Sequence, residues 1–157
     1  MRKQITKEEA LNRCMALCSK MEKCRFDIHR KLQQWQIGKA VQDEIIERLE
    51  DLNFINEERF VKAFVRQKLQ INKWGKLKIK QALFVKHLPD NLVNKYLEEI
   101  QKPGYISILE NILLKKNNSI KETEKYERKV KLVRYGTSHG FEYDLVIEQT
   151  ENILNKI

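Results

Sequence analysis

The chain has 157 residues, 34% of them charged, and a formal net charge of +9. Its scarcity of proline and glycine is typical of long helices, and no apolar run approaches the length that spans a bilayer. The odd count of three cysteines, with no signal-peptide core after Met1, argues against a secreted disulfide framework. We therefore expect an all-α, cytosolic protein with no membrane partner.

The first fifty residues predict three amphipathic helices. Thr6 and Glu9 have the spacing of a capping box at the start of the first helix. The second begins near Arg25, and its pattern ends at Gly38. The third carries apolar residues at helical spacing as far as Leu52. Helices of this length must pack together to bury their apolar faces.

Three further helices are predicted between residues 56 and 100. Asn56 is a good N-cap for the fourth helix, which ends near residues 72–75. The fifth stops before Pro89, because proline disfavours helical geometry in the preceding residue. We expect Asp90 to cap the sixth helix.

The last third of the chain predicts helices seven to nine. The seventh follows the punctuation at residues 102–104, and the polar residues 115–119 are expected to form a loop or a frayed end. The eighth is predicted at about 121–136 and the ninth at about 142–155, with residues 136–140 between them.

Apolar positions recur along the chain at nearly constant offsets. Shifts of 51 and then 53 residues superpose three sets of five: Phe26, Ile28, Ile37, Val41, Leu49; Leu77, Ile79, Leu88, Leu92, Ile100; and Val130, Leu132, Phe141, Leu145, Ile153. The first and fourth helices agree at an offset of 50. Helical spacing can match itself at many offsets, but the coinciding breaks at Gly38, Pro89 and Gly140 favour a true repeat.

We therefore predict three tandem three-helix units, at residues 1–52, 53–102 and 103–157. If each unit packs mainly against its neighbours, the molecule is an elongated, curved helical repeat protein. Such a shape presents a long surface to an extended partner.

Positive charge is concentrated in the middle unit, with 11 basic and 5 acidic residues between 53 and 102. From Arg59 to Pro89 the chain has nine cations and no Asp or Glu. A solvated face without a partner is one interpretation, and contact with phosphates or carboxylates is the other. The predicted partner-binding or phosphate-binding residues are Arg59, Lys62, Arg66, Lys73, Lys76, Lys78 and Lys80.

No catalytic motif is present, and we expect neither enzyme activity nor a cofactor. The cluster of Cys14, Cys18, Cys24 and His29 could be interpreted as a zinc site, but the first two cysteines share the apolar face of a helix. Core packing is the favoured interpretation, and no metal is expected. Trp35 is predicted to close the first core, and Trp74 either closes the second or anchors an interface.

Several motifs together resemble the RecX regulatory proteins of bacteria. These are Ala10-Leu11, Cys18-Ser19, Arg25, Lys31-Leu32, the run LNFINEERF from Leu52, the run WGKLKI from Trp74, Leu83, and the run GFEYD from Gly140. The sequence departs from the family at Asn53, where glycine is common. Gly136 also stands where the other two units have Leu32 and Leu83.

The resemblance implies tandem three-helix units and a monomeric protein that binds the RecA recombinase filament. It also implies inhibition of ATP hydrolysis and strand exchange by RecA, with DNA phosphates as a secondary contact. The alternative is a basic nucleic-acid-binding helical module without a recombinase target. Phosphate binding would weaken steeply with salt on any DNA, whereas a protein contact would depend on the recombinase present.

Overall fold

The structure is a computed structural model that describes residues 3–156, and these residues form nine α-helices without a strand. The helices are α1 (Lys7–Lys20), α2 (Arg25–Gln34), α3 (Lys39–Asp51), α4 (Glu57–Gln70), α5 (Lys76–Val85), α6 (Asp90–Glu98), α7 (Lys102–Ser119), α8 (Lys125–Ser138) and α9 (Tyr143–Asn155). The predicted all-α class is confirmed. None of the described helices is long and apolar enough to cross a membrane.

The chain folds into two compact bodies. The N-terminal body comprises the residues up to Ala63 together with Lys86–Leu88, and the C-terminal body comprises Phe64–Val85 and the residues from Pro89 onward. Helix α4 therefore contributes residues 57–63 to one body and 64–70 to the other. The predicted boundaries of the three three-helix units, after residues 52 and 102, stay a prediction.

Two of the predicted helix caps are confirmed. Thr6 accepts a hydrogen bond from the Glu9 amide at 3.2 Å, and the Glu9 carboxylate accepts one from the Thr6 amide at 3.3 Å. The Asn56 side chain accepts a hydrogen bond from the Arg59 amide at 2.8 Å. Each cap satisfies amides that the first helical turn would otherwise leave without a partner.

Other predicted boundaries were wrong. Pro89 is the N-cap of α6, so Asp90 is its first helical residue, where the carboxylate faces the positive end of the helix dipole. Helix α7 continues through the polar residues 115–119, because the Asn117 side chain is buried and hydrogen-bonded to Arg128. Helix α8 begins at Lys125 instead of residue 121 and runs through Gly136 to Ser138.

The core of the N-terminal body lies among α1, α2, α3 and Ile55. Its buried members are Ala10, Cys14, Ile28, Leu32, Ile45, Ile46, Leu49 and Ile55. Trp35 is half-buried and packs against this cluster, as predicted. In the C-terminal body the positions equivalent to Ile28 are Ile79 and Leu132, and both are fully buried.

Backbone conformation supports the repeat independently of the apolar pattern. Gln36, His87 and Gly140 all have left-handed φ angles, of 60°, 60° and 88°, and they stand 51 and 53 residues apart. After α2 the Gln36 and Ile37 amides donate to Gln33 and Leu32, which is the Schellman arrangement. The α8 terminus repeats it around Gly140. The ends of α2 and α8 thus share this hydrogen-bond arrangement, and all three second helices are followed by a left-handed residue.

Asn53 and Gly136, the two departures from the family pattern, have physical explanations. Asn53 has a φ of 60° at the end of α3, a conformation that asparagine tolerates better than most residues. At Gly136 a Cβ atom would lie 2.7 Å from Cγ1 of Val146. The missing side chain therefore lets α9 approach α8, and the fully buried Val146 fills the space.

Replacing Gln36 with glycine is expected to stabilise the protein by about 0.5–1 kcal/mol, because a non-glycine residue in the left-handed region is strained. Chemical denaturation of the variant would measure the gain. Gln33→Gly is the matched control, since Gln33 lies within α2, where glycine costs about 1 kcal/mol. Equal shifts in the same direction for both variants would contradict the assignment of strain to Gln36.

Candidate partner-binding surface

The basic stretch lies on α4, on α5 and on the connection between them. Arg59 and Lys62 belong to the N-terminal body, and the cations from Arg66 to Lys80 belong to the C-terminal body. Helix α4 forms here because Asn56 caps it and Glu57 stands in its first turn.

Arg59 is held by contacts within the N-terminal body. Its Nε donates to Glu22 Oε1 at 2.6 Å, and its Nη2 donates to the carbonyl oxygens of Asn53 and Phe54 at 2.9 and 3.3 Å. The guanidinium therefore fixes the turn between α3 and α4. The spacing of cations along α4 did not reveal this structural role of Arg59.

Lys62 lies one turn further along α4, and its side chain is exposed. No carboxylate of the described residues forms an ion pair with it. Its charge is therefore available to an external partner, in contrast to that of Arg59.

Arg59→Ala is expected to lower the free energy of unfolding by about 1–3 kcal/mol, because it leaves the half-buried Glu22 carboxylate without its cation and removes two bonds to carbonyl groups. Lys62→Ala, the neighbouring control, should change stability by less than about 0.5 kcal/mol. Urea denaturation of the two variants makes the comparison. Equal effects would show that the Arg59 contacts do not stabilise the fold.

In the C-terminal body three of the predicted cations are exposed. Arg66, Lys73 and Lys80 have no ion-pair partner among the described residues. Lys73 has a left-handed φ of 58° and lies in the connection after α4, whereas Lys80 lies on the outward side of α5. These three side chains are the part of the predicted set that is most accessible to an anionic partner.

Lys76 and Lys78 are half-buried, and each ammonium group lies against an aromatic ring. Lys76 Nζ is 5.0 Å from the centroid of the Tyr105 ring, and Lys78 Nζ is 4.6 Å from that of Trp74. Neither lysine has a carboxylate partner among the described residues. Cation–π contacts hold the two stems in place and leave the charges uncompensated.

Trp74 is half-buried between two lysines. Lys68 Nζ also lies 4.6 Å from its ring centroid, the same distance as Lys78 Nζ. Lys68 was not among the predicted site residues, although it belongs to the same basic stretch. The signal that could have identified it is its spacing from Phe64, an i to i+4 pair on α4 in which Lys68 Nζ lies 5.3 Å from the ring.

The start of α5 is fixed by the loop between α8 and α9. The Gly75 amide donates to the His139 carbonyl at 2.7 Å, and the Leu77 amide donates to the Gly140 carbonyl at 3.0 Å. A Cβ atom on Gly75 would overlap the backbone of Gly140 and Phe141. Amides at a helix start are thus satisfied by another loop of the same body, which sets the direction of α5.

A buried tyrosine completes this junction. The Tyr105 hydroxyl accepts a hydrogen bond from the Lys76 amide at 2.9 Å and donates one to Glu142 Oε2 at 2.7 Å. Burial, followed by the hydrogen bond to Glu142, raises the Tyr105 pKa well above its ordinary value. The hydroxyl therefore stays protonated and keeps its donor role throughout the neutral range.

The three cysteines belong to the N-terminal body. Burial raises the pKa of both the Cys14 and the Cys24 thiol to about 11, and all three cysteines are free. His29 Nδ1 is hydrogen-bonded to Gln42 at 3.1 Å. Among residues 3–156 no group of three or more His, Cys, Asp or Glu side chains is placed to hold a metal ion.

Comparisons with known proteins match both the basic stretch and the chain as a whole. The family description "RecX, second three-helix domain" matches residues 56–97, from the N-cap of α4 almost to the end of α6. The regulatory protein RecX of Clostridium acetobutylicum is 27% identical over 94% of this chain and 70% of its own length. That of Actinobacillus pleuropneumoniae serotype 5b is 29% identical over 89% of both chains.

The chain is similar to RecX regulatory proteins along almost its whole length. Two solved RecX structures share its fold. The crystal structure of RecX from Lactobacillus salivarius superposes with a TM-score of 0.77, with 22% identity, over 96% of this chain and 97% of that one. A second RecX crystal structure gives a TM-score of 0.80 with 18% identity, over 93% of this chain and 71% of that one. The helical repeat predicted from the sequence is thus confirmed as the RecX fold.

Proposed function

We propose that this protein binds the RecA–DNA filament and inhibits ATP hydrolysis and strand exchange by the recombinase, as a regulator in the SOS response. Similarity to a family of regulatory proteins supports a regulatory role. The observation that carries the proposal is a set of exposed cations within the region that matches the family description, namely Arg66, Lys73 and Lys80, which form no ion pair with any other described residue. Carboxylates of a protein filament and phosphates of its DNA are suitable partners for them.

In this proposal the protein acts as a monomer in the cytoplasm, without catalysis or a cofactor. Three free thiols, two of them buried, are compatible with a reducing compartment. The net charge of +9 opposes close association of two copies through the basic surface. Lys62, Arg66, Lys73 and Lys80 are proposed as direct contacts because they are exposed, and Lys76 and Lys78 as contributors of charge.

ATP hydrolysis by the cognate RecA on single-stranded DNA tests the proposal directly. We expect inhibition at amounts of this protein far too small to cover the DNA, because each bound molecule acts on a filament of many coupled subunits. Inhibition that begins only when the protein is sufficient to coat the DNA would contradict a filament target.

Trp74 favours a second candidate function, binding of nucleic acid without a recombinase target. An aromatic ring between two lysines is a common arrangement where bases stack and phosphates are neutralised. Under this alternative the affinity for DNA alone would be high and would fall steeply with salt. Titration of labelled DNA without RecA, at two salt concentrations, distinguishes the two functions.

A further inference from the structure

Helix α5 has an outward face that is apolar although it is exposed to solvent. Leu77 is 55% exposed and Phe84 is 68% exposed, and their separation of seven positions places both on the same side of the helix. Val85, which is 56% exposed, borders this side. The opposite side carries Ile79 and Leu83, which are fully buried. The core therefore accounts for one side of α5 and leaves the other without a structural role.

Comparison of the three repeats indicates that apolar residues at the last two positions of α5 are not needed for folding. Phe84 and Val85 are the last two residues of α5. The last two residues of the equivalent helices are polar, Gln33–Gln34 in α2 and Thr137–Ser138 in α8. In all three cases the second residue after the helix has a left-handed φ angle. Exposed aromatic and aliphatic side chains at one of three equivalent positions indicate a binding surface.

Charge limits what can cover the face. Lys80 lies between Leu77 and Phe84 on the same side of α5, and it has no carboxylate partner among the described residues. A second copy of the chain would bring like charges together. Nucleic acid could stack a base on Phe84 alone and would leave Leu77 and Val85 against sugars and phosphates, since aliphatic side chains offer bases no ring to stack on. A protein segment with apolar residues beside carboxylates satisfies both the apolar and the cationic groups.

We propose that the outward face of α5, formed by Leu77, Lys80, Phe84 and Val85, docks an apolar segment of a protein partner whose flanking residues are acidic. Phe84 is the anchor, because large aromatic side chains contribute most at interfaces when they are desolvated. The proposal rests on the proposed function in one respect, namely that the partner protein is the RecA filament.

The double variant Phe84→Gln, Val85→Gln tests the proposal with little risk to the fold, because it gives α5 the ending that α2 already has. We expect it to weaken binding to the RecA filament by at least about tenfold, as loss of an aromatic anchor does at protein interfaces. Tyr126→Gln is the control, since Tyr126 is 77% exposed on α8 of the same body and should leave binding unchanged. Thermal unfolding should be unaltered in both variants.

Each result of the experiment has a distinct meaning. Unchanged filament binding by the double variant, beside a wild-type protein that binds, overturns the docking proposal and leaves the proposed function intact. A wild-type protein that does not bind the filament overturns the proposed function and the docking proposal with it. An equal loss of affinity for single-stranded DNA in the absence of RecA would show that nucleic acid covers the face. Self-association of the wild type that the double variant lacks would identify a second copy as the occupant. Either of the last two results also overturns the proposal.

Discussion

Replacing Gly75 with alanine is expected to destabilise the protein by about 3 kcal/mol or more, at the upper end of what overpacking costs. The new methyl group would overlap backbone atoms of Gly140 and Phe141, and backbone in a packed junction cannot move aside as a flexible side chain can. The hydrogen bonds from Gly75 to His139 and from Leu77 to Gly140 would have to lengthen together. The expected loss of stability therefore comes from the lack of space for a side chain at Gly75 and not from backbone strain, since its φ is not in the left-handed region.

Gly104→Ala is the matched control for this variant. A Cβ atom at Gly104 meets nothing within 4 Å, and Gly104 lies in the first turn of α7, where alanine is the better helix former. The control should be neutral or slightly more stable than the wild type in thermal and urea denaturation. A Gly75→Ala protein as stable as Gly104→Ala would show that the loop between α8 and α9 does not hold the start of α5.

The sequence predicts the fold well where the signal is local. The Thr6 capping box and the Asn56 cap are formed as the residue types imply, because each is complete within four residues. The buried positions Ile28, Ile79 and Leu132 follow from the apolar repeat. Helix α5 ends before Pro89, as predicted, since proline disfavours helical geometry in the preceding residue.

Prediction fails where a tertiary contact decides the outcome. Gln36 and His87 adopt the left-handed conformation that glycine usually adopts after a helix. Because neither is a glycine, the residue type does not predict this conformation. Helix α7 extends through residues 115–119 because Arg128, which is distant in sequence, donates to both the backbone and the side chain of Asn117. No pattern within 115–119 contains that information.

The sequence predicts the candidate surface only in part, because tertiary contacts decide which cations face solvent. The distribution of charge along the sequence identifies the basic stretch. It cannot distinguish cations that are available to a partner from cations that already bind groups of the protein itself. Arg59 and Lys62 lie three residues apart on α4, and yet the Arg59 guanidinium is hydrogen-bonded to Glu22 and to two carbonyl groups. The contact of Lys68 and Lys78 with Trp74 likewise depends on how the connection between α4 and α5 folds.

Reversing the charges of Lys73 and Lys80 to glutamate is expected to raise the concentration needed for inhibition of RecA by at least about tenfold, as the loss of charge pairs at a protein interface does. Both side chains are exposed and form no ion pair within residues 3–156, so the fold should not depend on them. Removing a positive charge and adding a negative one at each position also reverses the local field that attracts an anionic partner. Titration of filament ATP hydrolysis with the double variant measures the effect.

The control must separate local charge from net charge. Lys115→Glu with Lys121→Glu alters net charge by the same amount, and both lysines are exposed in the C-terminal body outside the basic stretch. If the surface acts locally, this second variant keeps most of its inhibition, and only the Lys73 and Lys80 variant loses potency. If both variants lose potency equally, attraction depends on the charge of the whole molecule, and Lys73 and Lys80 are not contact residues. Raising the salt concentration should shrink the difference between wild type and the Lys73 and Lys80 variant, because exposed charges are screened within about 10 Å at 0.1 M salt.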